Sequence, residues 1–250
     1  MSHATALVTG GAKRMGAAFV RALAERGHPV GVHFNSSEDE AASLVQEIIG
    51  AGGRADLFRA DLSESESVKG LIGAVSARLG PVGVLVNSAS LFLDDDLTRL
   101  SPDSFLIHQK TNTLAPLLLA QAMAAQTLEK GLILNVLDYK LFNLNADYLS
   151  YTISKYALKG ITEILARRLA PHIRVNALAP GLTLPSAHHS AAEFERLHHD
   201  NPLRQGAQLS DMIRGLNFFL DTPSVTGQIL TIDGGQHFDP RLTRDVFEAL

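Results

Sequence analysis

Residues 9–16 read "TGGAKRMG", behind the apolar run "TALVT" (5–9) and ahead of a segment with helical periodicity. Glycines at the end of a first strand let the backbone turn tightly and approach a pyrophosphate, whose charge suits the amino end of the next helix. Gly10 and Gly11 follow the strand, and Gly16 sits where the helix begins. The G-x-G-x-x-G spacing is absent, so the turn alone shows only a strand-to-helix junction, ordinary in α/β chains. One residue stands out. Arg14, directly behind Lys13, occupies a place where a tight phosphate turn favours a small residue. Two cations at the positive pole of a helix are unfavourable unless an anion binds there.

Outward from this turn, short apolar runs alternate with longer helical patterns. The runs predict strands at 5–9, 29–34, 54–60, 82–87, 131–137, 173–179 and 228–233. Ser63 with Glu66, and Ser37 with Glu40, have capping-box spacing ahead of apolar residues that recur at helical intervals. Gly27, Gly52 and Gly80 fall where those helices should stop. Strands alternating with helices imply right-handed crossovers and an α/β fold: a doubly wound, Rossmann-type parallel sheet of seven strands with helices on both faces. Uniformly apolar strands suit a sheet buried on both sides. No repeat or Pro/Ser-rich linker interrupts 1–250, so a single domain is expected, with the irregular stretch 183–206 as a substrate lid.

A chain of 250 residues buries enough surface to need no staple, and without cysteine it has no disulfide, thiolate metal site or cysteine nucleophile. A net charge of −4 supplies no basic field for nucleic acid. With no long apolar segment and no leader-like start, the expectation is a cytoplasmic protein without a membrane partner, acting on a small molecule.

The second strand ends in "HFNSS", His33, Phe34, Asn35, Ser36 and Ser37. An enzyme selecting NAD commonly places an acid there for the ribose 2′-hydroxyl. Here the first acid is Glu38, while Lys13 and Arg14 stand across the turn, a combination that favours a 2′-phosphate and therefore NADPH. Further along, "YTISK" sets Tyr151 and Lys155 four apart on one helical face. An ammonium beside a phenol stabilises the phenolate and makes the phenol a usable proton donor. Such a pair is common by chance, and only its context gives it meaning.

That context is a resemblance to the short-chain dehydrogenase/reductase family, carried in order by "TGGAKRMG" (9–16), "ADL" (60–62), "VNSAS" (86–90), Asn112, "YTISK" (151–155), "APG" (179–181) and "VTGQILTIDGG" (225–235). The resemblance implies that Asp61 and Leu62 lie against the adenine, and that Asn87, Ser88 and Ala89 line the cofactor with Gly10 and Met15. It implies that Asn112 holds a water of the proton relay, that Tyr151 is the acid/base, and that Lys155 binds the nicotinamide ribose. Pro180 and Gly181 would flank the nicotinamide.

Two positions depart from the family pattern. Its usual serine thirteen residues before the tyrosine is Asp138, and its usual second turn glycine is Arg14. Both replacements resemble the pteridine reductase and dihydromonapterin reductase branch, which also shows a histidine closing the second strand, here His33. By that resemblance Arg14, Ser90, Phe92, Asp138, Tyr151, Gly181 and Leu182 would contact the substrate, with Phe92 stacked on a pterin. The implied activity is NADPH-dependent reduction of a dihydropterin such as dihydromonapterin, with dihydrofolate as a further candidate substrate, by a homotetramer; the alternatives are a carbonyl or alcohol oxidoreductase and a silent dinucleotide sensor. Read without the family, Asp138 is a strand-end acid near Lys140 and Phe92 packs a loop. His188, His189, His198 and His199 show no H-E-x-x-H spacing and read as a polar lid helix, so no metal is expected. The tail 238–250 is expected to fray or to pack on a neighbouring subunit.

Overall fold

A computed structural model describes residues 4–185 and 190–239. Seven parallel strands, β1 (Thr5–Thr9), β2 (Val30–Phe34), β3 (Ala55–Arg59), β4 (Val82–Asn87), β5 (Gly131–Val136), β6 (Ile173–Pro180) and β7 (Ile229–Ile232), lie in the order β3-β2-β1-β4-β5-β6-β7. Each strand differs from its expected span by no more than two residues. Successive side chains point to opposite faces of a strand. Val84 and Val86 of β4, and Leu132 and Leu134 of β5, therefore enter one core, while Leu85 and Ile133 between them enter the other. Both sets are apolar because both faces are covered, which is why the strands lack polar alternation.

On the first face pack α1 (Arg14–Glu25), α2 (Glu38–Gly50) and α8 (Leu209–Asp221), through Phe19, Leu23, Leu44, Leu216 and Phe219. The second face is covered by α3 (Ser65–Leu79), α5 (Ala115–Ala124) and α6 (Leu149–Arg168), through Leu71, Ile72, Leu119, Met123 and Ala166. The helix α4 (Pro102–His108) runs into α5 through a wider π-helical turn, Gln109–Leu114. Within the expected lid, α7 (Ala191–His199) is the short helix. Strand order reverses between β1 and β4, and the crevice above their carboxyl ends is where a doubly wound sheet places its ligand.

The helix stops fall as expected: Gly27, Gly52 and Gly80 all take positive φ just past α1, α2 and α3. The expected capping boxes do not form. Ser37 precedes α2 without a side-chain bond, and Glu40 instead reaches across to Lys13 Nζ at 2.6 Å. Ser63 gives its hydroxyl to Asp61 Oδ1 at 2.7 Å, and α3 begins later, at Ser65. In both cases a nearby charged group is a stronger partner than a neutral capping contact. Reciprocal boxes appear at Ser190–Glu193 and Gln208–Asp211.

Candidate active site

The glycine turn is held by its neighbours on both sides. Gly10 has φ +62, and a methyl group there would sit 2.9 Å from Ala89 Cα; one on Gly16 would sit 2.1 Å from the Gly10 carbonyl oxygen. Only glycine permits this close approach of three chain segments. His33, 2 % exposed on β2, braces the turn from below. Its Nδ1 accepts the Gly10 N–H at 3.0 Å, so its Nε2 carries the proton and donates to the Ala60 carbonyl at 3.1 Å. Burial pulls the imidazole down to about 4, and it is neutral at physiological pH.

Arg14 opens α1 at φ +53, in the left-handed region that costs a non-glycine residue about 1–2 kcal/mol. That conformation accounts for the glycine that the family pattern places here. The side chain extends over the cleft, and a guanidinium N–H donates to the Pro185 carbonyl at 2.9 Å. The first turn of α1 contains no acid, whereas that of α2 holds Glu38, Asp39 and Glu40. Of the two amino ends, only that of α1 is left for an external anion.

Above the sheet the turn borders two cavities that share Gly10, Ala89 and Ser90. The larger, about 480 Å³, is lined by Lys13, Arg14 and Met15 on one side and by Asp138, Tyr151 and Lys155 on the other, with Ser88 also in its wall. Pro180, Gly181 and Leu182 close it beyond β6. The smaller, about 280 Å³, is lined by His33, Asn35, Asp61 and Leu62. Asp61 is held below the usual carboxylate value because Ser63 donates to it from both its hydroxyl and its N–H. A cradle free of side chains at Gly10 and Gly16, an acid-free helix start and two linked cavities fit a dinucleotide, with its phosphates at the turn.

Tyr151 and Asp138 meet at the floor of the larger cavity. The phenol donates to Asp138 Oδ2 at 2.6 Å, and Asp138 Oδ1 accepts the Lys140 backbone N–H at 2.9 Å. The carboxylate is thus fixed at the end of β5 and aimed at the tyrosine. Lys155, one turn further along α6, is 2 % exposed and donates to the Val136 carbonyl at 2.7 Å. Burial lowers its ammonium to about 8, against an opposing pull from Asp138. It still carries most of its charge near neutral pH, 5.7 Å from the centre of the Tyr151 ring.

Several expected site residues lie outside these walls. Asn87 is 3 % exposed and donates to Asn135, which in turn donates to Thr162, tying β4, β5 and α6 together. Phe34 belongs to the apolar core. Ser36 and Ser37 follow β2 without lining either cavity. Phe92 stacks on Tyr148 at 4.2 Å and meets Tyr151 edge-on at 4.6 Å, so its ring packs against the start of α6. Asn112 sits in the π-helical turn, accepting from Leu91 N–H at 2.7 Å and donating to the Leu91 carbonyl and Ser154 Oγ, both at 2.9 Å. The reading of the sequence missed Thr183 and Leu184 in the larger cavity, and Ile107 and Thr111 in the smaller. No motif marks them, since they reach the cleft from ordinary loop and helix positions. In α7, His198 stacks on Phe194 and contacts the Ala207 carbonyl, with Glu195 and His199 close by. His188, His189 and the tail from 240 onward lie outside the described residues.

The sequence pattern of the short chain dehydrogenases matches residues 4–196. The chain belongs to this family. Among solved relatives, the FolM alternative dihydrofolate reductase 1 of Brucella suis, crystallised with NADP, is 40% identical, with a TM-score of 0.92 over 95% of this chain and 96% of that one. Carbonyl reductase family member 4 of Danio rerio is 32% identical across 92% of this chain and 96% of its own. An oxidoreductase of Methylorubrum extorquens is 34% identical over 92% of this chain and 96% of its own. In this dehydrogenase the Asp138–Tyr151–Lys155 floor and the glycine turn face one another across the same cavity. Among the described residues no helix is long and apolar enough to cross a membrane.

Proposed function

We propose that this chain is an NADPH-dependent reductase of dihydropterins, with dihydrofolate as a further substrate. The carrying observation is the 2.6 Å hydrogen bond from Tyr151 to Asp138, an acid standing where the family pattern has a serine. NADP(H)-dependent oxidoreductase chemistry follows from the family, and the 40% identity to a dihydrofolate reductase of the same fold supports the finer reading.

Bound at the turn, NADPH supplies the hydride. The chain manages the proton. A serine hydroxyl would polarise a carbonyl oxygen, but the C=N bond of a dihydropterin presents a ring nitrogen and nearby N–H donors. Tyr151 holds a proton at Oη and gives it to that ring nitrogen, so the reduced ring gains one hydride and one proton. Asp138 Oδ2 is left to accept from the pterin N–H groups or to return a proton to the phenolate, the net proton coming from solvent. Lys155 stabilises the phenolate while it exists. Arg14 reaches from the turn toward the same space and complements both phosphate and the electron-rich pterin edge.

The test follows NADPH absorbance with a dihydromonapterin, a dihydrobiopterin, dihydrofolate and a panel of ketones. Turnover of the dihydropterins, lowered roughly 10²–10⁴-fold in Tyr151→Phe, is expected. Turnover of ketones alone would replace the pterin reading with a carbonyl reductase, and cofactor binding without turnover would leave a sensor. We also propose a homotetramer. Leu106 of α4, Leu117 of α5, and Ile153, Tyr156 and Ile164 of α6 leave apolar side chains on the outer helical layer, and a second copy would cover them.

A further inference from the structure

The amino end of α6 carries Tyr151 and Lys155, and it has no cap of its own. Tyr148, the residue before it, lies in the left-handed region at φ +53 and offers no side-chain acceptor to the first turn. The orphan N–H groups there must be satisfied from elsewhere. Two of them are met by Asp95, more than fifty residues earlier in the loop after β4. Asp95 Oδ1 accepts the Ser150 N–H at 2.9 Å, and the Asp95 carbonyl accepts the Leu149 N–H at 3.1 Å.

Asp95 is 2 % exposed, a burial that a carboxylate tolerates only when its oxygens are engaged. The other oxygen, Oδ2, accepts from Ser104 Oγ at 3.2 Å, and the Ser104 carbonyl accepts from His108 Nδ1 at 2.7 Å. His108 is completely buried, and its Nε2 accepts the Leu93 N–H at 3.2 Å, so the loop is closed upon itself on both sides of Asp95. Ser150 Oγ has no hydrogen-bond partner among the described residues. What Ser150 contributes is therefore its backbone N–H, and Tyr151 is the residue that immediately follows it.

We infer that Asp95 is a positioning residue for the reaction, a remote cap that aligns the first turn of α6 and so places the Tyr151 hydroxyl against Asp138. The loop that supplies this cap also supplies Ala89 and Ser90 to the cofactor cavity and Phe92 to the faces of Tyr148 and Tyr151. Cofactor wall and proton donor are thus referred to one short segment. Misplacing a reacting group by about 1 Å costs up to roughly 10²-fold in rate, so a loosened first turn should be seen in kcat before it is seen in binding.

The inference rests on the reductase reading of the site but not on the identity of the substrate. The assay uses whichever compound the unaltered protein reduces, dihydropterin or ketone, so failure of the pterin reading leaves it intact. Asp95→Asn keeps an oxygen for the Ser150 N–H; Asp95→Ala and Asp95→Ser do not reach it. In the two shortened variants kcat should fall about tenfold or more, with KM and the NADPH dissociation constant within about twofold, while Asp95→Asn should restore kcat to within about threefold. Should Asp95→Ala not fold, Asp95→Ser and Asp95→Asn still decide. Unchanged kcat in a shortened variant, loss of NADPH affinity in step with kcat, or a folded Asp95→Asn as slow as Asp95→Ser would each overturn the assignment.

Discussion

Around the 480 Å³ cavity the ionisable groups lie together: half-buried Asp138 accepts from Tyr151, and buried Lys155 lies 5.7 Å from the centre of the same ring. Around the 280 Å³ cavity the buried ionisable group is His33, and it is held neutral, spending both nitrogens on backbone groups of the turn and of β3's exit. In the first arrangement Tyr151 and Asp138 share a proton across one short contact, a geometry suited to proton transfer. The second cannot take up a proton without breaking the turn. We read one half of the cleft as the reacting half and the other as holding a shape, and substitutions in each should separate them experimentally.

The largest expected effect lies in the reaction half. Asp138→Ser restores the family's usual residue, removes the acceptor at 2.6 Å from the phenol, and should lower dihydropterin turnover about 10²-fold while NADPH affinity is retained. Steady-state kinetics beside a cofactor titration measure this. Equal turnover would show that the acid takes no part, and the contrast between the two halves would lose its meaning.

An intermediate effect belongs to the holding half and appears in stability. His33 in the folded chain is pulled to about 4 from an ordinary 6.5, so above 6.5 both folded and unfolded forms are neutral and the brace is fully present. As pH falls from 6.5 toward 4 the unfolded chain takes up the proton first, and stability declines by as much as roughly 3 kcal/mol. His33→Gln keeps a donor and an acceptor but does not titrate, so this share of the acid loss should vanish. Urea unfolding at several pH values compares the two slopes; parallel slopes would count against a neutral, buried His33.

The smallest effect concerns the residue that joins the halves. Arg14→Gly relieves the left-handed backbone and should raise stability by about 0.5–1 kcal/mol, after the larger chain entropy of glycine is subtracted. The same change should weaken the preference for NADPH over NADH. A less stable variant with unaltered preference would show that the Pro185 contact, and not an anion, is what holds Arg14 in place.

The glycine turn and the Tyr151–Lys155 pair were visible because each is local, a few consecutive residues or two residues one helical turn apart, but each took its meaning from the ordered family motifs around it. The strands were legible for a related reason, since burial on both faces leaves uniformly apolar runs. The caps were misread where a charged group took the serine or its partner, as Lys13, distant in sequence, took Glu40 and Asp61, two residues away, took Ser63. Asn87 and Phe92 were placed on the cofactor and the substrate by analogy; the structure adds what no motif showed, that the Asn87 amide donates to Asn135 while its Oδ1 has no partner among the described residues, and that Phe92 packs on the rings of Tyr148 and Tyr151.

By itself the sequence determined the doubly wound sheet, the phosphate turn, and the presence of an acid and an arginine where the family pattern has a serine and a glycine. Periodicity is sufficient for the sheet, while the turn and the two departures were read from the resemblance to the family's ordered motifs. Only the tertiary structure decided that Arg14 pays for its position with a left-handed backbone, that His33 is a neutral brace, and that α6 takes its cap from Asp95. Those facts depend on which distant segments the sheet order brings within hydrogen-bonding distance, and no local pattern of residues records that.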